Sequence, residues 1–303
     1  MNFCLTILGV NSATPAHGRF PTAQVLQIHH HYFLIDCGEG CQIRMTDFGI
    51  PRHKTNQIFI SHLHGDHVFG LPGLLFSYSL NDRKEPLHLF SPPGLEEMVS
   101  AQLKPSGGAL SFPLYYHVLD TSARQLVFDH DALTVHSFPL KHRIPTVGFV
   151  FKEKLRPRNI RPEKIEKFQI PIPQIRAIKA GEDLTLPNGK TIPNCELTFD
   201  PPKPRSFAFV SDTIYDEAIL PFIEGVDLLY HEATFCHDLA EYAAMTMHST
   251  AKQAAMIAKK ARVGKLIIGH FSSRYIDLSP LLEEAKAEFP DTLLGEEGER
   301  YEV

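Results

Sequence analysis

Long apolar runs and paired cysteines are both missing from this sequence of 303 residues. No stretch approaches the roughly 20 apolar residues that a bilayer-spanning helix needs, so we expect no membrane segment. Residues 1–9 lack both a charged segment and a long apolar core, which argues against a signal peptide. The five cysteines are scattered and form no CxxC pair, which favours a reduced, cytoplasmic protein.

Two further absences narrow the function. The formal net charge is -5, so the whole chain gives no electrostatic support to nucleic-acid binding, and any such surface must be local. No GxxxxGK[ST] loop is present, and no elbow motif suggests a Ser-His-Asp or Cys-His arrangement. The apolar fraction of 43% is ordinary for a globular protein with a sizeable core.

Strand and helix patterns alternate along most of the chain, which predicts an α/β layered fold. The length allows one large domain, residues 1–303, with an insertion. Residues 68–80 are apolar with helical spacing, and the pair Ser249-Thr250 can cap a helix over about residues 251–262. The expected strands are 3–10, 23–28, 32–35, 57–60, 207–211, 227–232 and 265–269.

Residues 152–205 depart from this pattern, with nine prolines and weak periodicity, and we interpret them as an insertion or protruding arm flanked by strands. Within it, residues 152–179 hold nine basic and three acidic side chains, a net of +6 in an otherwise acidic chain. The alternatives are a solvated charged loop and a functional basic surface. We expect this basic arm to span residues 152–180.

The densest group of potential metal ligands is HLHGDH, residues 62–67. The tract follows a predicted strand, so alternate side chains can converge before the turn at Gly65 and a second group can form after it. Such a tract suits two adjacent metal ions better than one. Imidazole and carboxylate ligands suit zinc, with manganese or iron as alternatives. The four ligands offered are His62, His64, Asp66 and His67.

Three more candidates share one trait, because each comes at the end of a predicted strand: His142, Asp212 and His270. Loops at strand ends are where α/β folds place chemistry. Each residue alone could be a hydrogen-bonded structural group, but together they predict a dinuclear centre. Two metals can activate water and clamp a phosphoryl group. Asp212 is the best bridging candidate, and Asp66 could also accept a proton from the attacking water.

The tract, followed by GLPGL at residues 70–74, resembles the metallo-β-lactamase superfamily, which implies a four-layer αββα sandwich. A narrower resemblance is to the ribonuclease Z family of tRNA 3′-processing endoribonucleases. It covers nearly the whole chain, and the length is similar to that of the short, homodimeric form. Its motifs lie at residues 8–19, 33–40, 212–213, 231–235, 248–250 and 270–275.

This resemblance implies roles for individual residues and two zinc ions per subunit. His62, His64 and His142 would bind one zinc, Asp66, His67 and His270 the other, and Asp212 would be shared. Asp66 would be the proton acceptor, and His248 would aid the leaving oxygen with Glu232 as its partner. The expected substrate contacts are Arg274 and Arg19 near the site, and Arg156, Arg158 and Arg161 in the arm.

Two segments depart from the family pattern. The opening loop usually carries a basic-Arg-Asn sequence, whereas residues 17–22 read HGRFPT. The arm usually contains a Gly-Pro pair, whereas residues 168–174 read FQIPIPQ. The metal chemistry is therefore expected to follow the family more closely than the grip on tRNA does.

The expected activity is that of a metal-dependent phosphodiester hydrolase. It would be a zinc endoribonuclease that removes the 3′ trailer from precursor tRNA, leaving a 3′-hydroxyl on the tRNA and a 5′-phosphate on the trailer. One alternative is another hydrolase of the same superfamily, acting on a small phosphodiester, a sulfate ester or a lactone. A second alternative, from a different class, is an RNA-binding or scaffold protein with an inactive metal site.

Overall fold

Two seven-stranded sheets form the framework of the fold. The computed structural model describes residues 2–107 and 109–303, so Met1, the first residue of the expected domain, and Gly108 lie outside the described residues. The described chain divides into two compact units. The first comprises residues 2–129 without 108, 135–151 and 205–303, and the second comprises residues 130–134 and 152–204.

The first sheet has the strand order β18-β1-β2-β3-β4-β5-β6, with strands numbered along the chain. The strands from β3 to β6 pair in parallel, and β18, β1, β2 and β3 pair antiparallel. Their bounds are β1 (Phe3–Gly9), β2 (Ala23–Ile28), β3 (His31–Ile35), β4 (Thr55–Phe59), β5 (Leu87–Ser91), β6 (Leu114–Val118) and β18 (Arg300–Glu302).

The second sheet has the order β17-β16-β15-β14-β9-β8-β7. The strands from β14 to β17 pair in parallel, so their carboxyl ends meet at one edge of the sheet. Their bounds are β7 (Gln125–His130), β8 (Leu133–Leu140), β9 (Thr146–Glu153), β14 (Ser206–Val210), β15 (Leu228–Glu232), β16 (Lys265–Gly269) and β17 (Thr292–Leu294).

Buried phenylalanines join the two sheets face to face. Phe33 of β3 lies 5.7 Å from Phe151 of β9, and Phe59 of β4 lies 5.4 Å from Phe149, measured between ring centroids. Aromatic rings at these spacings attract one another in addition to burying apolar area. The helices of this unit are α1 (Cys41–Asp47), α2 (Gly65–Val68), α3 (Leu71–Leu80), α4 (Leu95–Leu103), α8 (Leu220–Ile223), α9 (Ala240–Thr246), α10 (Ala251–Lys260) and α11 (Ser279–Glu288).

The helices cover the outer faces of the sheets. Leu34 and Ile58 of the first sheet share one buried cluster with Leu71 and Leu75 of α3, and α10 packs beside β15 and β16. The expected α/β fold with two sheets between helical layers is confirmed. Within the described ranges, no helix combines the length and apolar character that crossing a bilayer requires.

The predicted strands agree with the observed ones to within a few residues, and so does the helix after Thr250. Thr250 accepts a hydrogen bond from the backbone N–H of Gln253, whose side chain returns a contact to the Thr250 backbone. This capping box satisfies two backbone donors that the first turn of α10 leaves unpaired.

The second unit contains short elements around a small apolar cluster. Its core residues are Ile170, Ile178, Leu184, Ile192 and Leu197. The sequence indicated only weak periodicity here, yet the chain forms two helices of seven and nine residues. The elements are β10 (Asn159–Ile160), α5 (Pro162–Phe168), α6 (Ile172–Ala180), β11 (Leu184–Thr185), β12 (Thr191–Ile192), α7 (Asn194–Leu197) and β13 (Thr198–Phe199).

Candidate metal centre

The tract at residues 62–67 leaves the carboxyl end of β4 and turns into α2. His62 and His67 are buried. Gly38, in the loop after β3, packs against the tract, and a Cβ atom there would come within 2.5 Å of the Asp66 carbonyl oxygen. Glycine is needed at this position because the backbones approach so closely.

Four ligand atoms from three separate segments converge in the first cluster, which consists of His62, His64, His142 and Asp212. The Nε2 atoms of His62 and His142 lie 3.0 and 3.2 Å from Nδ1 of His64. Oδ2 of Asp212 lies 3.5 Å from Nε2 of His62. Three imidazole nitrogens and one carboxylate oxygen form a donor set that suits a divalent cation such as zinc.

The second cluster consists of Asp66, His67 and His270. The Nε2 atoms of the two histidines are 3.2 Å apart. Oδ2 of Asp66 lies 3.5 Å from Nε2 of His67 and 3.4 Å from Nε2 of His270. This set could hold a second cation.

Asp212 lies between the two clusters and presents one oxygen to each. Oδ2 faces His62 and His142, whereas Oδ1 lies 3.4 Å from Nε2 of His67 and 3.1 Å from Nε2 of His270. Oδ1 is buried and, among the residues the structure describes, has no hydrogen-bond partner. A buried carboxylate oxygen without a partner is costly unless a cation satisfies it. The seven side chains therefore fit a pair of metal ions that share one carboxylate.

Asp36 holds the tract at residues 62–67 in place through hydrogen bonds. It follows β3 directly, and its Oδ2 accepts a hydrogen bond of 2.7 Å from Nδ1 of His67. The backbone N–H of Ser61 donates to Oδ1 of Asp36 over 2.7 Å, and the Ser61 hydroxyl lies 3.0 Å from Nδ1 of His62. Such outer partners fix the orientation of the histidine rings. Asp36 is not among the site residues expected from the sequence, although its position directly after a strand was the available signal.

Two other histidines are held in the same way. Nδ1 of His142 donates to the backbone carbonyl of Met247 over 2.8 Å. Nδ1 of His270 lies 3.0 Å from the hydroxyl of Thr234. In both residues the remaining Nε2 faces the clusters, where it is available to bind a metal ion. Neither outer partner was predicted from the sequence.

The pKa shifts reflect how closely these charges are packed. Burial, helped by neighbouring imidazoles, lowers the pKa of His62 well below its usual value. Burial also acts to lower the pKa of His67, but Asp212, Asp66 and Asp36 outweigh it and raise that pKa well above normal. For Asp66 and Asp212, burial acts to raise the pKa, yet the histidines beside them lower it overall. Both carboxylates are therefore ionised at neutral pH, as metal binding needs.

Glu232 and His248 form a pair beside the clusters. Glu232 is fully buried, and its Oε1 accepts hydrogen bonds from Nδ1 of His248 at 3.1 Å and from the backbone N–H of Ser249 at 2.8 Å. Its Oε2 accepts one of 2.7 Å from the Thr234 hydroxyl. Burial acts to lower the pKa of His248, but Glu232 outweighs it and raises that pKa to about 9. The pair places a protonated imidazole next to Asp212.

A pocket of about 610 Å³ opens over both clusters, and His248 lines it. Arg274 also lines this pocket, so its guanidinium is available to a ligand, although its phosphate contact remains a prediction. The backbone N–H of Ala13, in the opening loop, donates to Oδ2 of Asp66 over 2.7 Å. Further lining residues are Ser12, Glu39, Phe69, Arg143, Phe235 and Tyr242.

Arg19 is placed differently from Arg274. Its Nε donates to the side chain of Asn11 over 2.9 Å, and its terminal nitrogens donate to the backbone carbonyls of Tyr275 and Ile276. It is not among the described residues that line the pocket. In this structure Arg19 holds the loop that carries Arg274, and its contact with substrate remains a prediction.

The arm arginines belong to the second unit. Arg156 and Arg158 border a groove of about 960 Å³ whose rim also includes Arg176 and Lys179. Arg161 packs instead with its guanidinium 3.9 Å above the Phe199 ring. Two of the three predicted arginines therefore line this basic groove, which also contains Asp200, the ion-pair partner of Arg158 at 2.6 Å.

Solved structures share this architecture. YhfI from Bacillus subtilis, a metallo-β-lactamase fold protein, aligns over 100% of both chains with a TM-score of 0.70, and at 17% identity this is a likeness of fold alone. The human tRNase Z short form aligns over 99% of both chains with a TM-score of 0.73 and 26% identity. The fold and the paired ligand clusters define a metallo-β-lactamase-fold protein with a site for divalent metal.

Curated relatives narrow this class. The chain is 48% identical to ribonuclease Z of Cytophaga hutchinsonii, over 100% of this chain and 97% of the relative. It is 43% identical to ribonuclease Z of Parabacteroides distasonis, over 100% and 99%. The family model described as Anti-Pycsar protein Apyc1 also matches residues 3–156. The chain belongs to the ribonuclease Z family, and the family and the clusters together indicate dependence on divalent metal.

Proposed function

We propose that this chain is an endoribonuclease that removes the 3′ trailer from precursor tRNA, with two zinc ions per subunit. The observation that carries the proposal is the position of Asp212, which presents one oxygen to each ligand cluster. His62, His64 and His142 would hold one ion, and Asp66, His67 and His270 the other. When bound, such a metal pair supplies Lewis acidity and lowers the pKa of water.

The chain's own residues would move the protons. Asp66 borders the pocket and, held by the Ala13 N–H, would accept a proton from the attacking water. His248, held by Glu232, would donate a proton to the leaving 3′ oxygen. The bond between phosphorus and that oxygen breaks as the bond to water oxygen forms. The products are a 3′-hydroxyl on the tRNA and a 5′-phosphate on the trailer.

We further propose that residues 1–303 form one metallo-β-lactamase-fold domain and that residues 152–180 are an inserted arm that binds tRNA. The basic groove bordered by Arg156, Arg158, Arg176 and Lys179 supports this role, because phosphates attract such a surface. Arg274, inside the pocket, would contact a phosphate near the cut. Arg19 in the opening loop and Arg161 in the arm would also contribute to substrate binding.

The direct test uses purified protein with zinc and a 3′-extended precursor tRNA. We expect a single cut that leaves a 3′-hydroxyl tRNA and a 5′-phosphorylated trailer, and no cut with Asp66→Ala. Hydrolysis of small phosphodiesters with the precursor left intact would contradict the tRNA assignment. Deleting residues 152–180 separates the two functions, because we expect it to abolish tRNA cleavage while small-substrate hydrolysis continues.

We also propose an oligomeric state and a cellular location for this protein. We propose a homodimer, because the chain resembles the short form of the enzyme, and light scattering on the purified protein tests this by measuring its mass. A cytoplasmic location agrees with the five cysteines, each of which is free. Cell fractionation tests it, and recovery outside the cytoplasm would contradict it.

A further inference from the structure

An exposed tyrosine stands on the wall of the pocket. Tyr242, on α9, lines the pocket and is 40% exposed. Its ring meets that of the buried Phe235 edge to face, with centroids 5.3 Å apart and planes at 80°. Phe235 therefore fixes the orientation of the Tyr242 ring, which remains accessible from the pocket.

Arg274 lies over both rings. Its guanidinium carbon is 4.9 Å from the Phe235 centroid and 5.1 Å from the Tyr242 centroid. Its Nε also donates to the Ser272 hydroxyl over 3.2 Å. Throughout residues 2–107 and 109–303, no carboxylate forms an ion pair with this guanidinium. A guanidinium that packs on aromatic rings and has no carboxylate partner is available for an ion pair with a ligand.

The tyrosine and the arginine lie next to the proposed chemistry. Phe235, which supports both, meets the ring of His248 edge to face at 6.1 Å. His248 is the proposed proton donor to the leaving oxygen. A ligand that stacks on Tyr242 would therefore be a neighbour of the cleaved bond.

We infer that Tyr242 and Arg274 form a stacking site for one unpaired nucleobase next to the cleaved phosphodiester. A ligand for this wall needs a flat apolar face for the ring and a negative charge for the guanidinium, and a nucleotide supplies both. Aromatic rings and arginine are the side chains on which proteins stack single-stranded bases. The inference rests on the proposed ribonuclease function and adds a base contact to it.

The test uses precursor tRNAs that carry one abasic nucleotide on either side of the cut. With wild type, removing the stacked base is expected to lower kcat/KM about tenfold. Tyr242→Ala should lower kcat/KM on the intact precursor by about the same factor, and the abasic change should then have no further effect. If the two losses multiply at both positions, Tyr242 does not contact either base and the inference is overturned.

Three variants make the result specific. Tyr242→Phe should keep the base dependence, because the ring face remains. Tyr242→Leu keeps an apolar contact with Phe235 but should lose the base dependence, which guards against misfolding of the alanine variant. Tyr115→Ala, which removes a tyrosine that is 49% exposed on β6, serves as the matched control and should leave kcat/KM unchanged.

A binding measurement separates this inference from the proposed function. Affinity of each precursor is measured with chelator present, so that no cleavage is needed. Base-dependent binding that Tyr242→Ala removes supports the stacking site even if wild type cleaves no precursor. Base-independent binding by a wild type that does cleave precursor overturns the stacking site and leaves the ribonuclease proposal standing.

Discussion

The metal clusters and the basic groove of the arm differ in how their charged side chains are held. The clusters hold them firmly, whereas the groove presents them from a small unit. Asp212 is buried, has five histidines within 4.0 Å of its carboxylate oxygens, and belongs to a set of side chains whose outer nitrogens are held by further partners. The groove presents Arg176 and Lys179 from α6, in a unit whose core has five buried apolar residues. Metal ligands must be placed to within tenths of an ångström, whereas phosphate attraction tolerates looser placement. The arm is also one of the two segments in which the sequence departs from the family pattern.

The largest effect is expected from Asp212→Ala, which removes the carboxylate facing both clusters. We expect metal content to fall in both clusters and precursor cleavage to drop at least about a thousandfold, roughly 4 kcal/mol. Elemental analysis and kcat/KM measure the two effects. Asp291→Ala, at an exposed position, is the control. A variant that keeps two metals and full activity would show that the bridge is not needed.

The next effect concerns the small core of the second unit. Ile178 is 1% exposed, and Ile178→Ala should destabilise this unit by about 2–5 kcal/mol through lost packing. Hydrogen exchange should rise across residues 152–204 while metal content stays unchanged. Ile172→Ala is the matched control, because Ile172 is 83% exposed. Loss of metal in Ile178→Ala would show instead that the metal clusters depend on the core of the second unit.

A smaller effect is expected from Asp36→Asn, which keeps the shape of the side chain but weakens the hydrogen bond to His67. Metal affinity should fall about 10- to 100-fold. Competition with a chelator measures it. Asp47→Asn, on the exposed face of α1, should leave the affinity unchanged. Equal affinities for both variants and wild type would remove Asp36 from the site.

The smallest effect is expected from Arg176→Ala in the groove. Precursor affinity should become less sensitive to salt, with the slope of log affinity against log salt smaller by about one. Binding is measured at several salt concentrations, and Lys286→Ala on α11 is the control. An unchanged slope would mean that Arg176 contacts no phosphate and that the groove has another role.

The sequence indicated the metal ligands better than it indicated the groups that hold the ligands and the nearby loop in place. The tract at 62–67 and the residues Asp212 and His270 were found because they follow strands, and the structure brings them together. The carbonyl of Met247 could not be found, because it reaches His142 across 105 residues and any residue type offers a carbonyl. The partners of Arg19 lie 256 and 257 residues away, so its position in the loop could not be anticipated.

The fold itself was predictable where apolar residues repeat strongly. The strands around Phe33 and Phe59 were evident from sequence, since both faces of their sheet are covered. The arm helices were not expected, because prolines normally argue against helix. The structure places Pro162 and Pro173 in the first turns of α5 and α6, where a missing N–H costs little.

The wide spacing of the metal ligands along the sequence has a consequence for synthesis of the chain. The tract from His62 to His67 leaves the ribosome first, whereas His270, which completes the second cluster, follows 203 residues after His67. Because the ligands are so far apart in sequence, the site forms only through slow, non-local pairing. On the proposed mechanism, a nascent chain stays inert until the segment that carries His270 has emerged and folded.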